Sequence, residues 1–331
     1  MLTFARAPLV ALILSSIVIS SARATRAQTT APSRITVASN VRLRAEASTS
    51  AEEVARLPVG VVVSELERSP EKAKVGDVED YWYLVSSKGG VKGWVFGGLT
   101  RAFDAARRDE IYAALADERL ANASASFSDL SDLVKFLDRA TKEVKRRDAL
   151  ASLEFARLVA LGRSLAAIPF GEMDKEPYKG WTTEREAEVV YSEPAGQWYV
   201  RADSFWKLQE KYKDLPVGER IAWEGAQTPL PGECEGYLPC YLSLETQTNG
   251  LYVKLYPRGA HADAALTQIG EFFEQVAEDA RSANPVYEVP KEDRADFQKL
   301  LAELRAQVSP AASAKKVRLL QQLDELAQRF R

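Results

Sequence analysis

The sequence predicts an α+β protein in which a small β-barrel precedes a larger, mostly α-helical domain that ends in a helical hairpin. Apolar residues alternate with polar ones from Ile35 to about Phe103, a period of two that is typical of strands. Beyond Phe103 the apolar spacing becomes helical, and two similar apolar stripes occupy the end of the chain. We therefore divide the 331 residues into an N-terminal segment at 1–27, a barrel at 33–102, a helical domain at 104–285 and a hairpin at 286–331.

The N-terminal segment has the pattern of a secretory signal peptide. Arg6 precedes an apolar run from Leu9 to Ser20, and small-residue cleavage sites end at Ala24 or at Ala27. This run is shorter than the roughly 20 apolar residues that a membrane-spanning helix needs, so retention as an anchor is the alternative to cleavage. We expect an exported protein, periplasmic or extracellular, with no stable membrane insertion after cleavage.

The charge of the chain argues against nucleic acid as a partner. Removing residues 1–27 takes away three of the 44 basic residues and none of the 47 acidic ones, which leaves a net charge of -6. Binding to a phosphate backbone requires clustered positive charge, which this composition does not favour. The remaining length suits two domains with real apolar cores.

The predicted barrel consists of several short strands. Val41 and Leu43 alternate with arginines, and Trp82 and Leu84 alternate with Tyr83 and the following valine. Breaks are expected at residues 58–60, 69–77 and 88–90, where proline, glycine and charged residues collect. Strands at this even spacing are typical of a small barrel.

Two runs within this region, SNVRLRAEASTSAEEVARLPVGVVV and YWYLVSSKGGVKGWVFGGLT, resemble the bacterial SH3 domain (SH3b, SH3 type 3). The matching positions are Asn40, Val41, Arg42, Leu57, Gly60, Trp82, Val85, Gly93, Trp94 and Val95. One departure is the charged stretch RSPEKAKVGDVED before Tyr81, which we expect to enlarge a loop. The resemblance covers the barrel, and the remainder of the chain is not assigned to a family of known function.

The resemblance implies binding rather than catalysis, because such domains hold exported proteins on cell-wall peptides or on partner proteins of the envelope. The candidate ligand-binding residues are Tyr81, Tyr83 and Phe96, with Trp82 and Trp94 as walls of the site. Aromatic faces beside a few polar groups suit peptide ligands. The alternative is that Trp82, Trp94 and Tyr83 form the core of the barrel.

The first part of the helical region predicts a pair of packed helices. One carries an apolar face from Leu130 to Val144 with Ser126 or Ser128 as its cap, and the next stops at Pro169. The run EVVYSEPAGQWYV predicts a hairpin or an extended turn. Two more helices follow, ADSFWKLQEKY with Asp203 as cap and PVGERIAWEGAQ with Pro216 in its first turn.

Residues 237–256 are compatible with two structures, a β-hairpin or helices. Asn249-Gly250 between apolar runs is a hairpin signal, or else it stops a helix. We favour helices because YPRGAHADAA is similar to the turn that opens helices in tetratricopeptide-like envelope proteins. The matching positions are Tyr256, Pro257, Gly259, Ala262 and Ala265. No repeat of fixed period accompanies them, so no solenoid is predicted.

The predicted hairpin at the end of the chain carries apolar residues spaced four, three and four apart in each helix. These stripes are Phe297, Leu301, Leu304 and Val308, then Leu319, Leu323, Leu326 and Phe330. They either pair only with each other or face a partner subunit.

Both cysteines of the chain, Cys234 and Cys240, lie in the stretch PGECEGYLPC. In an oxidising compartment this pair predicts a structural disulfide, with free or reactive thiols as an alternative. The C-x5-C spacing is not the redox C-x-x-C motif. A zinc site would need about four ligands, and His261 is the only histidine, so we expect no metal and no cofactor.

Catalytic candidates are weak. Four carboxylates lie in an aromatic-rich stretch where a glycan could bind, namely Glu193, Asp203, Glu233 and Glu235. The chain has one histidine and no glycine-rich phosphate loop, so the sequence shows no motif of the other common catalytic sites. We therefore expect an exported binding protein of the cell envelope that is not an enzyme. The alternatives are a structural or assembly protein that binds through its helical region and, more weakly, a carboxylate-dependent glycan hydrolase.

Overall fold

The computed structural model describes Met1, Thr3 and residues 32–331, so the predicted signal peptide lies outside the described residues. Residues 32–331 form one compact unit. Its strands precede most of its helices, which confirms the predicted α+β class.

Seven strands form one curled antiparallel sheet at the start of the unit, a half-barrel. They are β1 (Ser33–Thr36), β2 (Val41–Arg44), β3 (Glu53–Leu57), β4 (Val62–Val75), β5 (Val78–Ser86), β6 (Lys92–Phe96) and β7 (Thr100–Phe103). Their order across the sheet is β3-β2-β6-β5-β4-β1-β7. The inner face of the sheet buries Val41, Leu43, Leu57, Val63, Tyr83, Val85 and Val95. This small core is what the alternating sequence predicts.

The charged stretch before Tyr81 is not a loop, and this corrects the prediction. It continues β4 and β5 as a long hairpin that closes with the two-residue turn Gly76-Asp77, where Gly76 has a φ of +59°. The pairing shifts register between Arg68 and Lys72, around Pro70, which has no N–H to donate to a ladder. This arm of the hairpin is held by backbone pairing and buries neither of its faces. Its sequence therefore lacks the apolar alternation by which strands are predicted.

Eleven α-helices and one two-stranded hairpin follow in the described chain. They are α1 (Arg108–Ala121), α2 (Phe127–Glu143), α3 (Arg147–Ala166), α4 (Tyr178–Thr183), β8 (Val189–Ser192), β9 (Gln197–Val200), α5 (Ala202–Tyr212), α6 (Val217–Gln227), α7 (Leu238–Gln247), α8 (Asn249–Leu255), α9 (Ala262–Asp279), α10 (Arg294–Val308) and α11 (Lys315–Arg329). The hairpin predicted in EVVYSEPAGQWYV is confirmed by β8 and β9.

The caps of these helices agree with the sequence in part. Ser126 caps α2, because its hydroxyl accepts a hydrogen bond from the backbone N–H of Asp129. Asp203 does not cap α5, since the helix already begins at Ala202. The carboxylate of Asp203 instead accepts from Lys207, one turn further along the same helix, at 2.6 Å. Pro216 directly precedes α6.

Residues 237–256 are helical, as favoured, but the break lies one residue earlier than expected. Thr248 separates α7 from α8, and Asn249-Gly250 opens α8 instead of ending a helix. A Cβ on Gly250 would lie 2.3 Å from the side chain of Gln307 and 2.7 Å from that of Leu304. Close packing against α10 therefore explains this glycine, which a local turn pattern does not reveal.

The helical region has two apolar clusters, and each draws on several elements. The first combines α1, α2, α3, α5 and α6 with Ile35 and Val59 of the half-barrel. The second combines residues of α6, α7, α8 and α9 with both apolar stripes of α10 and α11. The C-terminal stripes therefore do not pair only with each other, because they complete a core that α6, α7, α8 and α9 share.

Contacts between the half-barrel and α2 are specific. The carboxylate of Asp132 accepts a hydrogen bond from the backbone N–H of Val59 at 2.9 Å. Gly60, with a φ of +74°, lies against the ring of Phe136, and a Cβ there would approach that ring to 2.0 Å. The half-barrel is thus fastened to the helices through the turn that precedes β4.

Candidate functional site

The five candidate ligand-binding aromatics lie on two faces of the half-barrel. Trp82 is directly opposite Phe96, and Leu84 is directly opposite Trp94, so these four share one face of the sheet. Tyr81 and Tyr83 pack with the barrel core and therefore lie on the inner face. Side chains alternate along a strand, which separates the two tyrosines from the three other aromatics. The five residues do not converge on one site.

On the outer face, the side chains of Trp82 and Phe96 are buried. Each is 4% exposed, and their rings meet edge to face with centroids 5.6 Å apart. The hydroxyl of Ser69 accepts a hydrogen bond from the backbone N–H of Trp82 at 3.0 Å. These contacts give the two rings the packing of core residues.

On the inner face, cations of the same chain lie over both tyrosines. The guanidinium of Arg34 lies 3.6 Å from the ring centroid of Tyr83, which is buried. The guanidinium of Arg68 lies 4.4 Å from the ring centroid of the half-buried Tyr81. An incoming ligand would have to displace these cation–π contacts to stack on the same ring faces.

Trp94 is the aromatic that remains available on the outer face. Its side chain is half-buried, and its ring has no aromatic or cationic partner among the described residues. Leu84 flanks it on β5, and Arg44 flanks it on β2. One guanidinium nitrogen of Arg44 donates to the carbonyl of Ala51 at 2.6 Å, which orients the side chain. We call Arg44, Leu84 and Trp94 together the Trp94 surface.

The sequence did not mark two of these three residues. Arg44 and Leu84 follow the alternating pattern of their strands, but nothing local shows that they flank the same tryptophan. The signal is available only once the order β2-β6-β5 is known, because residues of three strands then line up across one face.

The four carboxylates considered for glycan hydrolysis lie on separate elements. Glu193 belongs to the turn between β8 and β9, Asp203 to the first turn of α5, and Glu233 and Glu235 to the disulfide loop. All four are exposed. Among residues 32–331 no group of three or more histidine, cysteine, aspartate or glutamate side chains is arranged to hold a metal ion.

Cys234 and Cys240 are joined as a disulfide, with Cα atoms 5.5 Å apart. The bond closes the loop that leads into α7, and this loop is tied to the segment before α10. The hydroxyl of Tyr237 donates to Asp293 at 2.8 Å, and the backbone N–H of Leu238 donates to the carbonyl of Glu288 at 3.0 Å. The disulfide therefore has a structural role, because it stabilises a loop that is bonded to the segment before α10.

Residues 39–100 match the family model of the bacterial SH3 domain, and the rest of the chain matches no family. The match lies within the predicted SH3-like region at residues 33–102 and includes the whole Trp94 surface. No curated protein and no solved structure matches the chain. Within the described part, none of the helices has the length and apolar character needed to cross a membrane.

Proposed function

We propose that the protein is an exported, non-catalytic binding protein of the cell envelope whose bacterial SH3 domain binds cell-wall peptide. The single observation that carries this proposal is the match of residues 39–100 to the bacterial SH3 domain, a type of module associated with binding and often with cell walls. The disulfide and the signal-like N-terminal pattern support export, because disulfides persist in oxidising compartments.

The Trp94 surface is the part of the domain that we assign to the ligand. The indole of Trp94 has no partner of its own in the described chain, and a flat apolar ring suits the backbone and small side chains of a peptide. Arg44 lies directly opposite Trp94 and brings a guanidinium that can pair with a peptide carboxylate. The buried pair Trp82 and Phe96 supports this face from the same strands.

Deleting the domain is a poor test, because Ile35 and Val59 belong to the core of the first helical cluster. Their loss would expose apolar surface and cause nonspecific pelleting. Point substitutions on the Trp94 surface avoid this problem. Phe170, which is 90% exposed in the helical region, offers a matched aromatic control.

The test is co-sedimentation of the protein with purified peptidoglycan sacculi. We expect the unmodified protein and Phe170→Ala to sediment equally, and Trp94→Ala to bind roughly tenfold more weakly, the effect of losing about 1–1.5 kcal/mol of aromatic contact. Arg44→Gln should also weaken binding, and the loss of affinity should be larger at low salt than at high salt.

Failure to sediment would refute wall binding. Equal losses for Trp94→Ala and Phe170→Ala would mean nonspecific adhesion of exposed aromatics. Sedimentation that survives both Trp94→Ala and Arg44→Gln would move the binding surface to the helical region, as in the alternative of an assembly protein. Release of soluble glycan or peptide from the sacculi during the assay would contradict the non-catalytic role.

A further inference from the structure

A concave surface lies in the helical region, outside the bacterial SH3 domain. It is a cleft of about 460 Å3 among α1, α3, α6 and the turn that leads into α9. Its polar lining includes Asp117, Arg220, Glu224 and His261, and its apolar lining includes Phe155 and Trp223. A cavity of this size with a few convergent polar groups is typical of a small-molecule site.

The only histidine of the chain forms one wall of the cleft and is held firmly. The imidazole of His261 stacks on the indole of Trp223, with centroids 4.4 Å apart and planes inclined by 9°. The backbone N–H of His261 donates to the hydroxyl of Tyr252 at 3.1 Å, and that hydroxyl donates to Glu219 at 2.9 Å. Tyr252 also packs edge to face on Trp223. Contacts within the chain therefore hold the aromatic wall in place.

The charged residues of the cleft have no ion-pair partners in residues 32–331. Arg220 places its guanidinium 5.3 Å from the ring centroid of Phe155 and forms no ion pair there. Asp117 is exposed and likewise forms none. Glu224 is half-buried, and burial raises the pKa of its carboxyl although Arg220 and His261 act in the opposite direction. Elsewhere in the described chain a charged cluster is internally paired, as Arg157 is with Asp138 and Glu188.

We propose that this cleft binds a small zwitterion with an apolar body, the chemistry of a free amino acid or a dipeptide with an aliphatic or aromatic side chain. Arg220 would receive the carboxylate, and Glu224 with Asp117 would receive the ammonium group. The apolar body would lie against Phe155 and the wall of Trp223 and His261. This proposal is independent of wall binding by the bacterial SH3 domain.

The mixture of charges selects this class of ligand. A simple anion would meet Arg220 but also the two carboxylates, and a simple cation would meet Arg220 as a like charge. An uncharged apolar molecule would leave all three charged groups partly desolvated without a partner. A zwitterion satisfies both signs, because it carries an ammonium group and a carboxylate on the same α-carbon or, in a dipeptide, at the two ends of one peptide unit.

Because His261 is the only histidine, the imidazole signal of the untagged protein in NMR spectra reports on this cleft alone. We would titrate the full-length protein with leucine, leucyl-leucine and phenylalanine, and with N-acetyl-leucine amide as the probe that lacks both charges. The expected result is a saturable shift of the His261 signal with at least one zwitterion and at least tenfold weaker binding of the uncharged probe.

Two substitutions then separate the two charged ends. Arg220→Gln should weaken the binding of leucine at least tenfold but should not weaken that of leucine amide, which has no carboxylate and meets Arg220 as a like charge. Glu224→Gln should weaken the binding of leucine and leucine amide but should not weaken that of N-acetyl-leucine, which has no ammonium group and meets Glu224 as a like charge. Arg281→Gln is the matched control, because Arg281 is exposed and lies outside the cleft. Retained circular dichroism and melting temperature show that each variant folds.

The proposal is overturned if no zwitterion shifts the His261 signal at millimolar concentration. It is also overturned if the uncharged probe binds as tightly as the zwitterions, or if both substitutions leave binding unchanged. Because the sacculus assay depends on Trp94, either proposal can fail without the other.

Discussion

The half-barrel and the helical region bury their apolar side chains differently. The half-barrel has a core of seven buried apolar residues on the inner face of one sheet, whereas the helical region has two clusters that each combine several helices. The first of these clusters also takes Ile35 and Val59 from the half-barrel. A small sheet with so little core of its own gains stability from its neighbour, so we expect the two regions to unfold as a single folding unit.

The two candidate sites differ in the same way. The Trp94 surface comes from three neighbouring strands within residues 44–94, and each member follows the alternation of its own strand. The cleft gathers Asp117, Arg220, Glu224 and His261 from elements that are far apart in the sequence. Periodicity along each strand thus predicts the face on which each member of the Trp94 surface lies, but the order of the strands is needed to bring the three residues together. Periodicity predicts nothing about which residues meet in a cleft between helices.

The largest expected effect tests the shared core. Phe136 is 1% exposed, packs edge to face on Tyr112 and supports Gly60. We expect Phe136→Ala to lower the free energy of unfolding by about 3–5 kcal/mol, the usual result of deleting a buried phenylalanine. Chemical denaturation followed by far-ultraviolet and tryptophan signals should show both regions unfolding in one earlier transition.

Phe170→Ala is the control for that experiment, since its ring is 90% exposed and its loss should change the free energy of unfolding by less than about 0.5 kcal/mol. A transition of the half-barrel that stays at its original denaturant concentration in Phe136→Ala would contradict the single folding unit.

A pair of glycines sharpens the same comparison. Gly60 and Gly76 both have positive φ, but a Cβ on Gly60 would meet Phe136 at 2.0 Å, whereas a Cβ on Gly76 would have open space. We expect Gly76→Ala to cost about 1 kcal/mol for its backbone alone. Gly60→Ala should cost about 2–4 kcal/mol, because overpacking adds to the same backbone term. Equal losses of free energy in urea denaturation would mean that the turn before β4 does not fasten the half-barrel to α2.

The smallest expected effect concerns pH and belongs to the cleft. Burial raises the folded-state pKa of Glu224 above the value of about 4.3 for an unfolded chain. The folded state then binds the proton more tightly, so the stability of the protein relative to Glu224→Gln should fall as pH rises from about 4 through the folded-state pKa. Glu186→Gln, at an exposed position, serves as the control in melting curves across pH. A stability difference that rises with pH would contradict the raised pKa.

The sequence-based predictions succeeded where a pattern is local. Alternation along β2, β5 and β6 predicted strands, and the four-three-four stripes predicted α10 and α11. The predictions were wrong where backbone pairing or distant packing overrides the local signal. The charged arm of β4 is a strand because β5 pairs with it. The helix break falls at Thr248, and Gly250 packs against α10 instead of ending a helix.

Local chemistry accounts for the α+β class, the cysteine pair that forms the disulfide and the bacterial SH3 pattern, since side-chain periodicity and short-range spacing are written directly in the order of residues. Tertiary packing determined which aromatic side chains of the half-barrel are buried and which one is available on its outer face. It also stacked His261 on Trp223 beside Arg220 and Glu224. The physical reason is that burial and proximity depend on how whole elements pack against one another, and no spacing along a single element encodes that geometry.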